Sequence, residues 1–327
     1  MKKCLGCYNE LETSKLDFHE KCSKRVFGRA TPPTLGYELT EIKDLAKKVL
    51  NRRLAIPGAQ PKLSLTVDSL DVTDARLTIV GLWEGIYILK PPNEDYPKLP
   101  ENEDLTMHMA EDCGIDTAIH SLIRFKSGEL AYISKRFDRV IKKRKSEKLA
   151  VEDMCQLTGQ LTENKYNSSM EKVAKTTNDL TTNKGLEMYS LYQVILFSFL
   201  TGNSDMHLKN FSLLEQPDGL IGLSPAYDLL STKLVVPRDR EELALTLNGK
   251  KSRLNKKDFL NFARYGGLSA KAAENVFKKF ENKLPGMKAW ILKSFLTPEF
   301  QLKYLDLIAV RAGKIDLNVP ANFVNLK

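Results

Sequence analysis

Residues 200–230 read LTGNSDMHLKNFSLLEQPDGLIGLSPAYDLL, and the rest of the chain is interpreted outward from them. Asp205, His207, Lys209 and Asn210 share one short loop. The apolar runs Phe211–Leu214 and Leu220–Leu223 follow, with a Gly-containing turn between them, and pair as a hairpin. Pairing brings Asp205, Asn210 and Asp228 to one end of that hairpin. Two carboxylates, an amide oxygen and a nearby lysine suit phosphoryl transfer. Mg²⁺ wants hard oxygen ligands and takes one or two from protein, a requirement that Asn210 and Asp228 fill.

Asp205 stands five residues before Asn210, the spacing of a kinase catalytic loop. There an Asp accepts the proton of the substrate hydroxyl and the later Asn holds metal. An isolated pair of this kind is more often two loop residues chosen for turn geometry. The remaining parts must therefore come from elsewhere in the chain.

At 327 residues, with 42% hydrophobic and 28% charged residues, the chain has the composition of an ordinary globular protein and room for two lobes. The net charge of +9 favours anionic partners such as ATP, tRNA or DNA, without bearing on fold. Part of it lies in the run Ile141–Lys145, read as a solvated loop. The first residues lack the apolar core of a signal peptide, and the longest apolar-rich stretch, Tyr189–Leu200, is too short for a bilayer. A cytoplasmic protein with no membrane partner is expected. Five cysteines, an odd number, argue against a disulfide framework.

Three of those cysteines, Cys4, Cys7 and Cys22, cluster with His19. Three thiols and an imidazole make a tetrahedral zinc set, and a segment with so little apolar material gains folding energy from a metal. The site is read as structural, because protein fills all four positions. It occupies a knuckle over residues 1–28. A β-rich lobe over 29–139 and a mainly helical lobe over 140–327 complete the expected domains, an α+β pattern.

Within the β-rich lobe, residues 37–52 show helical periodicity. Pro57-Gly58 marks a tight turn before a strand around Lys62–Val67, where Gly58 lets backbone approach a ligand and Lys62 can meet phosphate. Residues 76–91 read as two strands, the second ending at Lys90. A strand-borne lysine is what a kinase places on ATP phosphates, paired with a helix glutamate. On the helix expected at 101–113, Glu103 is the candidate and Glu101 its rival. His108 and His120 are read as ordinary structural histidines. A hairpin, Ile119–Phe125 with Leu130–Ser134, leads into Lys135–Arg139 as a hinge. Helices are expected at 150–160, 168–177, 184–201, 256–265, 269–282, 284–295 and 298–312, with a short strand possible at Leu243–Leu247.

Seven segments carry a resemblance. They are Gly58-Ala59-Gln60-Pro61-Lys62, Tyr87-Ile88-Leu89-Lys90, Asn102-Glu103, Ser134–Arg139, Glu152–Gln156, Asp205–Ser212 and Pro225–Asp228. Together, and in this order, they resemble the HipA family of serine/threonine kinase toxins. The resemblance implies a two-lobed, protein-kinase-like fold that uses ATP and Mg²⁺. Carried over by position, Asp205 becomes the catalytic base, and Asn210 and Asp228 become the Mg²⁺ ligands. The turn Gly58, Ala59, Gln60 and Lys62, the strand lysine Lys90 and its partner Glu103 fall to the nucleotide. Lys135 and Phe137 would meet adenine through backbone, Asp138 would lie near ribose, and His207 and Lys209 would border the nucleotide.

The resemblance further implies a toxin of a type II toxin–antitoxin system, phosphorylating an aminoacyl-tRNA synthetase. Longer members of the family carry an extra N-terminal subdomain. This sequence resembles the short toxins of three-gene, HipBST-type systems, where a small antitoxin protein supplies the missing piece. A helix-turn-helix repressor is a further implied partner, with DNA reached only through it. Members often carry autophosphorylated serines before the turn glycine, where this chain has Ala55, Ile56 and Pro57, none with a hydroxyl. Two other classes stay open: a nucleic-acid or repressor-binding module with a residual kinase site, and a small-molecule kinase.

Overall fold

The computed structural model describes residues 2–13, 15–42, 44, 61–68, 75–80, 85–142 and 145–326. The chain forms two compact units. One comprises Met1–Asp104, Ala118–Arg139 and Lys293–Phe295, and the other Leu105–Thr117, Val140–Leu292 and Leu296–Lys327.

The first unit is built on an antiparallel sheet of β1 (Leu63–Asp68), β2 (Arg76–Val80), β3 (Tyr87–Lys90), β4 (His120–Arg124) and β5 (Leu130–Lys135), in the order β2-β1-β3-β5-β4. Alternation sets its faces: Leu63 and Leu65 of β1 and Tyr87 and Leu89 of β3 are buried. Gly85 precedes β3 where a side chain has no room, since a Cβ would lie 2.1 Å from Ser64 Oγ. This close approach lets the Ile86 N–H reach the Leu65 carbonyl at 2.9 Å. α1 (Glu20–Phe27) ends at Gly28, whose φ of 71° forms a left-handed cap. α2 (Leu99–Asp112) begins in this unit and places Glu103 in its first turns. Residues 39–42 are helical, and most of the helix expected over 37–52 lies outside the described residues.

The ribbon β6 (Arg139–Lys142) with β7 (Lys145–Lys148) takes up much of the basic run expected as a solvated loop, because backbone pairing does not require apolar side chains. In the second unit β8 (Val151–Asp153), β9 (Ser212–Glu215) and β10 (Ile221–Leu223) form a sheet in the order β10-β9-β8. The hairpin of β9 and β10 agrees with the sequence reading, whereas the helix expected over 150–160 does not form. Val151, Glu152 and Asp153 instead pair with Leu214, Leu213 and Ser212, and helix begins only at α3 (Met154–Leu157). Asp153 caps α3 by accepting from the Gln156 N–H, while the Gln156 side chain accepts from the Asp153 N–H.

The further α-helices among the described residues are α4 (Met170–Leu180), α5 (Lys184–Thr201), α6 (Thr232–Val235), α7 (Lys256–Tyr265), α8 (Ala270–Lys293) and α9 (Pro298–Lys314). α8 replaces two expected helices and runs unbroken through Pro285. An interior proline costs ~3 kcal/mol, but the buried stripe of Val276, Phe280, Leu284, Met287 and Ile291 continues across it. Leu243–Leu247 form isolated bridges, Thr246 to Ser169 and Leu247 to Lys250, instead of a strand. α5 is the core of this unit, buried at nearly every position from Met188 to Thr201. Phe197 and Phe199 pack edge-on against Phe280 of α8 and Phe259 of α7.

Candidate active site

Lys90 closes β3, and its Nζ ion-pairs with Glu103 Oε1 on α2. Both side chains are buried, at 4% and 0% exposure. A buried ion pair repays its desolvation only with good geometry, so its presence is weak evidence of a stabilising role. Lys90 Nζ also stands 5.2 Å from the centroid of the Tyr132 ring. Glu101, the rival partner, pairs instead with Lys98 at 2.9 Å.

Lys135 ends β5, with its N–H on the Ile119 carbonyl at 2.7 Å, and the Arg136 N–H donates to the Ile86 carbonyl at 2.9 Å. Phe137 is half-buried. The Asp138 carboxylate is gripped by the Arg136 guanidinium at 2.9 and 2.7 Å. Burial pushes the Asp138 carboxyl up, but the Arg136 bonds and the charges of Arg136 and Arg139 outweigh it and hold it below the usual carboxylate range. Lys62 is exposed just before β1, while Gly58, Ala59 and Gln60 lie outside the described residues.

In the second unit the candidate loop hangs from the end of α5. Gly202 turns the chain at φ 72°, where a Cβ would meet Leu307 Cδ2 at 2.6 Å. The loop is held through its backbone. The Asp205 carbonyl accepts from Asn210 Nδ2 at 2.9 Å and from the His207 N–H at 2.8 Å. The first of these bonds orients the Asn210 amide and leaves Oδ1 as its acceptor atom. The Asp205 N–H donates to Asn203 Oδ1 at 3.1 Å, and Asn203 Nδ2 donates to the Asp228 carbonyl at 3.4 Å. Asn203 is fully buried, so one side chain ties the backbones of Asp205 and Asp228 together. Asp228 itself has φ 55°, a left-handed conformation that Asp tolerates better than most residues. Asn210 and Asp228 offer an amide oxygen and a carboxylate, a donor set that fits a hard cation such as Mg²⁺.

Around this loop, Lys209 Nζ pairs with Asp153 Oδ2 at 2.6 Å, and the Lys209 carbonyl accepts from the Tyr227 hydroxyl at 2.8 Å. The Tyr166 hydroxyl donates to Asp205 Oδ1 at 2.7 Å, and its ring stands edge-on to His207. Burial lowers the pKa of His207, with the Asp205 charge opposing. Sequence reasoning missed Asn203, Tyr166 and the tie to Asp153. Asn203 left a signal, because an Asn two residues before an N–H it can accept is an Asx turn. Tyr166 left none, since it lies 39 residues from its partner.

The thiols of Cys4, Cys7 and Cys22 and a ring nitrogen of His19 lie within 4.8 Å of one another. His19 Nδ1 is 3.4 Å from Cys7 Sγ, while Nε2 contacts the Glu10 carbonyl at 3.0 Å. That outer contact requires Nε2 to carry the proton, which turns the Nδ1 lone pair towards the thiols, as in a metal-ligating histidine. Hydrogen bonds from Cys22 and Cys4 pull the Cys7 thiol down, and contacts with Cys4 and Cys7 push Cys22 up. Three thiols and an imidazole nitrogen this close together are a donor set that fits a tetrahedral divalent cation such as Zn²⁺. Among the described residues no helix is long and apolar enough to cross a membrane.

A family model described as the HipA-like C-terminal domain matches residues 54–287, more than half of the chain. A Haemophilus influenzae protein named "Putative kinase" is 30% identical over 186 residues, covering 54% of this chain and 52% of its own length. The serine/threonine-protein kinase toxin HipA of Shewanella oneidensis is 28% identical over 203 residues, covering 56% and 44%. The chain spans about half the length of these curated relatives. Among solved structures, Shewanella oneidensis HipA in complex with HipB and its operator DNA aligns with a TM-score of 0.66. The alignment covers 83% of this chain and 70% of that one at 22% identity, a likeness of fold. Mixed helix and sheet, two compact units and the matched family model lead to one conclusion: the chain belongs to the HipA-like family.

Proposed function

We propose that this chain is an ATP- and Mg²⁺-dependent serine/threonine protein kinase and the toxin of a toxin–antitoxin system. The observation that carries the reading is the buried Lys90–Glu103 pair, the strand-lysine and helix-glutamate arrangement of kinases. The ordered loop supports it, with Asn210 and Asn203 gripping the Asp205 backbone. ATP·Mg²⁺ supplies the phosphoryl group and the positive charge that offsets its developing anion. Lys90 would hold phosphate oxygens, Asn210 and Asp228 would hold the metal, and Asp205 would accept the proton of the attacking hydroxyl. Gly58, Ala59, Gln60, Lys62, Lys135, Phe137, Asp138, His207 and Lys209 are the further residues we assign to the nucleotide, on the resemblance of their segments to the family's.

The acceptor we propose is an aminoacyl-tRNA synthetase. The partners are a small antitoxin and a helix-turn-helix repressor that brings DNA. The related Shewanella HipA was solved with HipB and operator DNA. A structural Zn²⁺ at Cys4, Cys7, His19 and Cys22 completes the proposal, supported by the His19 contact with Glu10. The test is transfer of labelled phosphate from ATP·Mg²⁺ to a panel of purified synthetases, with Asp205→Ala alongside. One labelled synthetase, with labelling lost in the variant, is expected. Nucleotide binding without labelling would move the acceptor elsewhere, and absence of nucleotide binding would refute the kinase reading.

A further inference from the structure

The knuckle contacts a neighbour of each partner of the Lys90–Glu103 pair: Asp104, next to Glu103 on α2, and Tyr87, at the start of the strand that ends in Lys90. Tyr8 follows the proposed zinc ligand Cys7, is buried, and is held at φ 62°. Its hydroxyl donates to Asp104 Oδ2 at 2.6 Å, and His120 Nδ1 engages the other oxygen of Asp104 at 2.6 Å. Asp104 is the residue after Glu103. A bond that fixes Asp104 on α2 therefore fixes the helical turn from which Glu103 reaches Lys90. On the other side, the Val26 carbonyl of α1, four residues beyond Cys22, accepts from the Tyr87 hydroxyl at 3.1 Å. The Phe27 ring packs on the Tyr87 ring at 5.8 Å. Tyr87 opens β3, the strand that ends in Lys90. The Leu5 carbonyl, between Cys4 and Cys7, accepts from Ser121 Oγ of β4 at 3.1 Å.

We propose that Zn²⁺ at the knuckle is a positioning element for nucleotide binding, setting the Lys90–Glu103 pair through Tyr8–Asp104 and through Val26–Tyr87. The inference rests on the zinc and kinase readings above. A closed tetrahedral site with four protein ligands fixes the loop 4–22 that presents Tyr8 and starts α1. Without the cation, the loop that presents Tyr8 keeps only its backbone hydrogen bonds, such as the Tyr8 N–H on the Cys4 carbonyl at 2.9 Å, and both contacts loosen together. The group acted on is the nucleotide phosphate site, and Tyr8 is a positioning residue that touches no substrate.

The test uses the full chain in three forms: zinc-loaded, stripped with chelator, and Tyr8→Phe. Zinc content is read by elemental analysis. Nucleotide affinity is read with a fluorescent ATP analogue, and amide hydrogen exchange is followed in peptides covering β3 and residues 99–104. Loaded protein is expected to hold one zinc. Tyr8→Phe should keep it and weaken the analogue about tenfold, the scale of one lost charge-assisted hydrogen bond. Stripping should weaken it at least as much, reversibly on adding Zn²⁺, with about tenfold faster exchange in β3 and 99–104 and unchanged exchange in α5.

A chain that takes up no Zn²⁺ overturns the proposal at the metal. Zinc removal that leaves exchange in β3 and 99–104 unchanged overturns the coupling while leaving the metal site intact. Unchanged analogue binding in a folded, zinc-loaded Tyr8→Phe overturns the Tyr8–Asp104 route. Loaded protein that binds no analogue refutes the kinase reading instead, and the exchange measurement still decides the coupling.

Discussion

Replacing Asn203 by alanine should disable the proposed catalytic loop while leaving the protein folded. The wild-type side chain is fully buried and makes two bonds, a 3.1 Å acceptance from the Asp205 N–H and a 3.4 Å donation to the Asp228 carbonyl. The longer bond contributes little. The shorter one matters more, because its loss leaves the part-buried Asp205 N–H without its partner, a penalty of about 1–3 kcal/mol. We therefore expect a destabilisation of about 2 kcal/mol, read as a lower urea midpoint with unchanged circular dichroism.

The kinetic effect of Asn203→Ala should exceed the thermodynamic one. Asp205 and Asp228 are tied to each other through this residue, and a misplacement of about 1 Å between reacting groups costs about 10²-fold in rate. Phosphoryl transfer, or ATP hydrolysis as an acceptor-free assay, should show kcat reduced by about that factor. KM for ATP should change little, because Lys90 and Glu103 keep their own contacts. A variant with a lowered urea midpoint but wild-type kcat would refute the argument, reducing Asn203 to a packing residue.

Gly202→Ala should cost at least ~1–2 kcal/mol, since φ 72° is left-handed and the new Cβ meets Leu307 Cδ2 at 2.6 Å; an unchanged thermal midpoint would contradict this. The Asp258 carboxyl lies below its ordinary value: burial raises it, and bonds from Asn248, Lys250 and the Asn255 N–H outweigh that. The unfolded chain therefore binds this proton more readily than the fold. The stabilisation is complete above about pH 4 and is lost as pH falls through the folded value. Asp258→Asn should be less stable than wild type at pH 7, with the difference closing as pH falls through and below the ordinary carboxylate range in a urea–pH series. Phosphosite mapping after incubation with ATP·Mg²⁺ should find no phosphate between Leu54 and Gly58, where no side chain has a hydroxyl; abundant phosphate on Ser64 or Thr66 would show that this region is regulated by autophosphorylation after all.

Local patterns in the sequence were legible wherever one short segment held the whole signal. The β9–β10 hairpin, the end of β3 at Lys90, and α5 from Lys184 to Thr201 all follow from alternation or apolar periodicity. Segments whose state depends on a distant partner were misread. Val151–Asp153 is strand because β9, sixty residues on, supplies the ladder, and α8 survives Pro285 because its buried stripe continues. The candidate site divides in the same way. Asp205 and Asn210 stand out by spacing and Lys90 by its place at a strand end, whereas Tyr166 and the tie of Asp153 to Lys209 become visible only when folding brings these partners together. The choice of Glu103 over Glu101 needed the helix phase, which sends Glu101 to Lys98.

The suspension of the candidate loop from α5 has a genetic consequence. That helix is enclosed on nearly every side, and it passes into the loop through the single residue Gly202. A substitution that shifts the helix by a fraction of an ångström displaces Asp205 as well. If the chain arrests growth as proposed, survivors selected for escape should carry lesions along residues 191–202 as well as at Asp205. Many of those alleles should be conditional, silent in the cold and inactivating in the warm, because they act by loosening the support and leave the reacting groups in place.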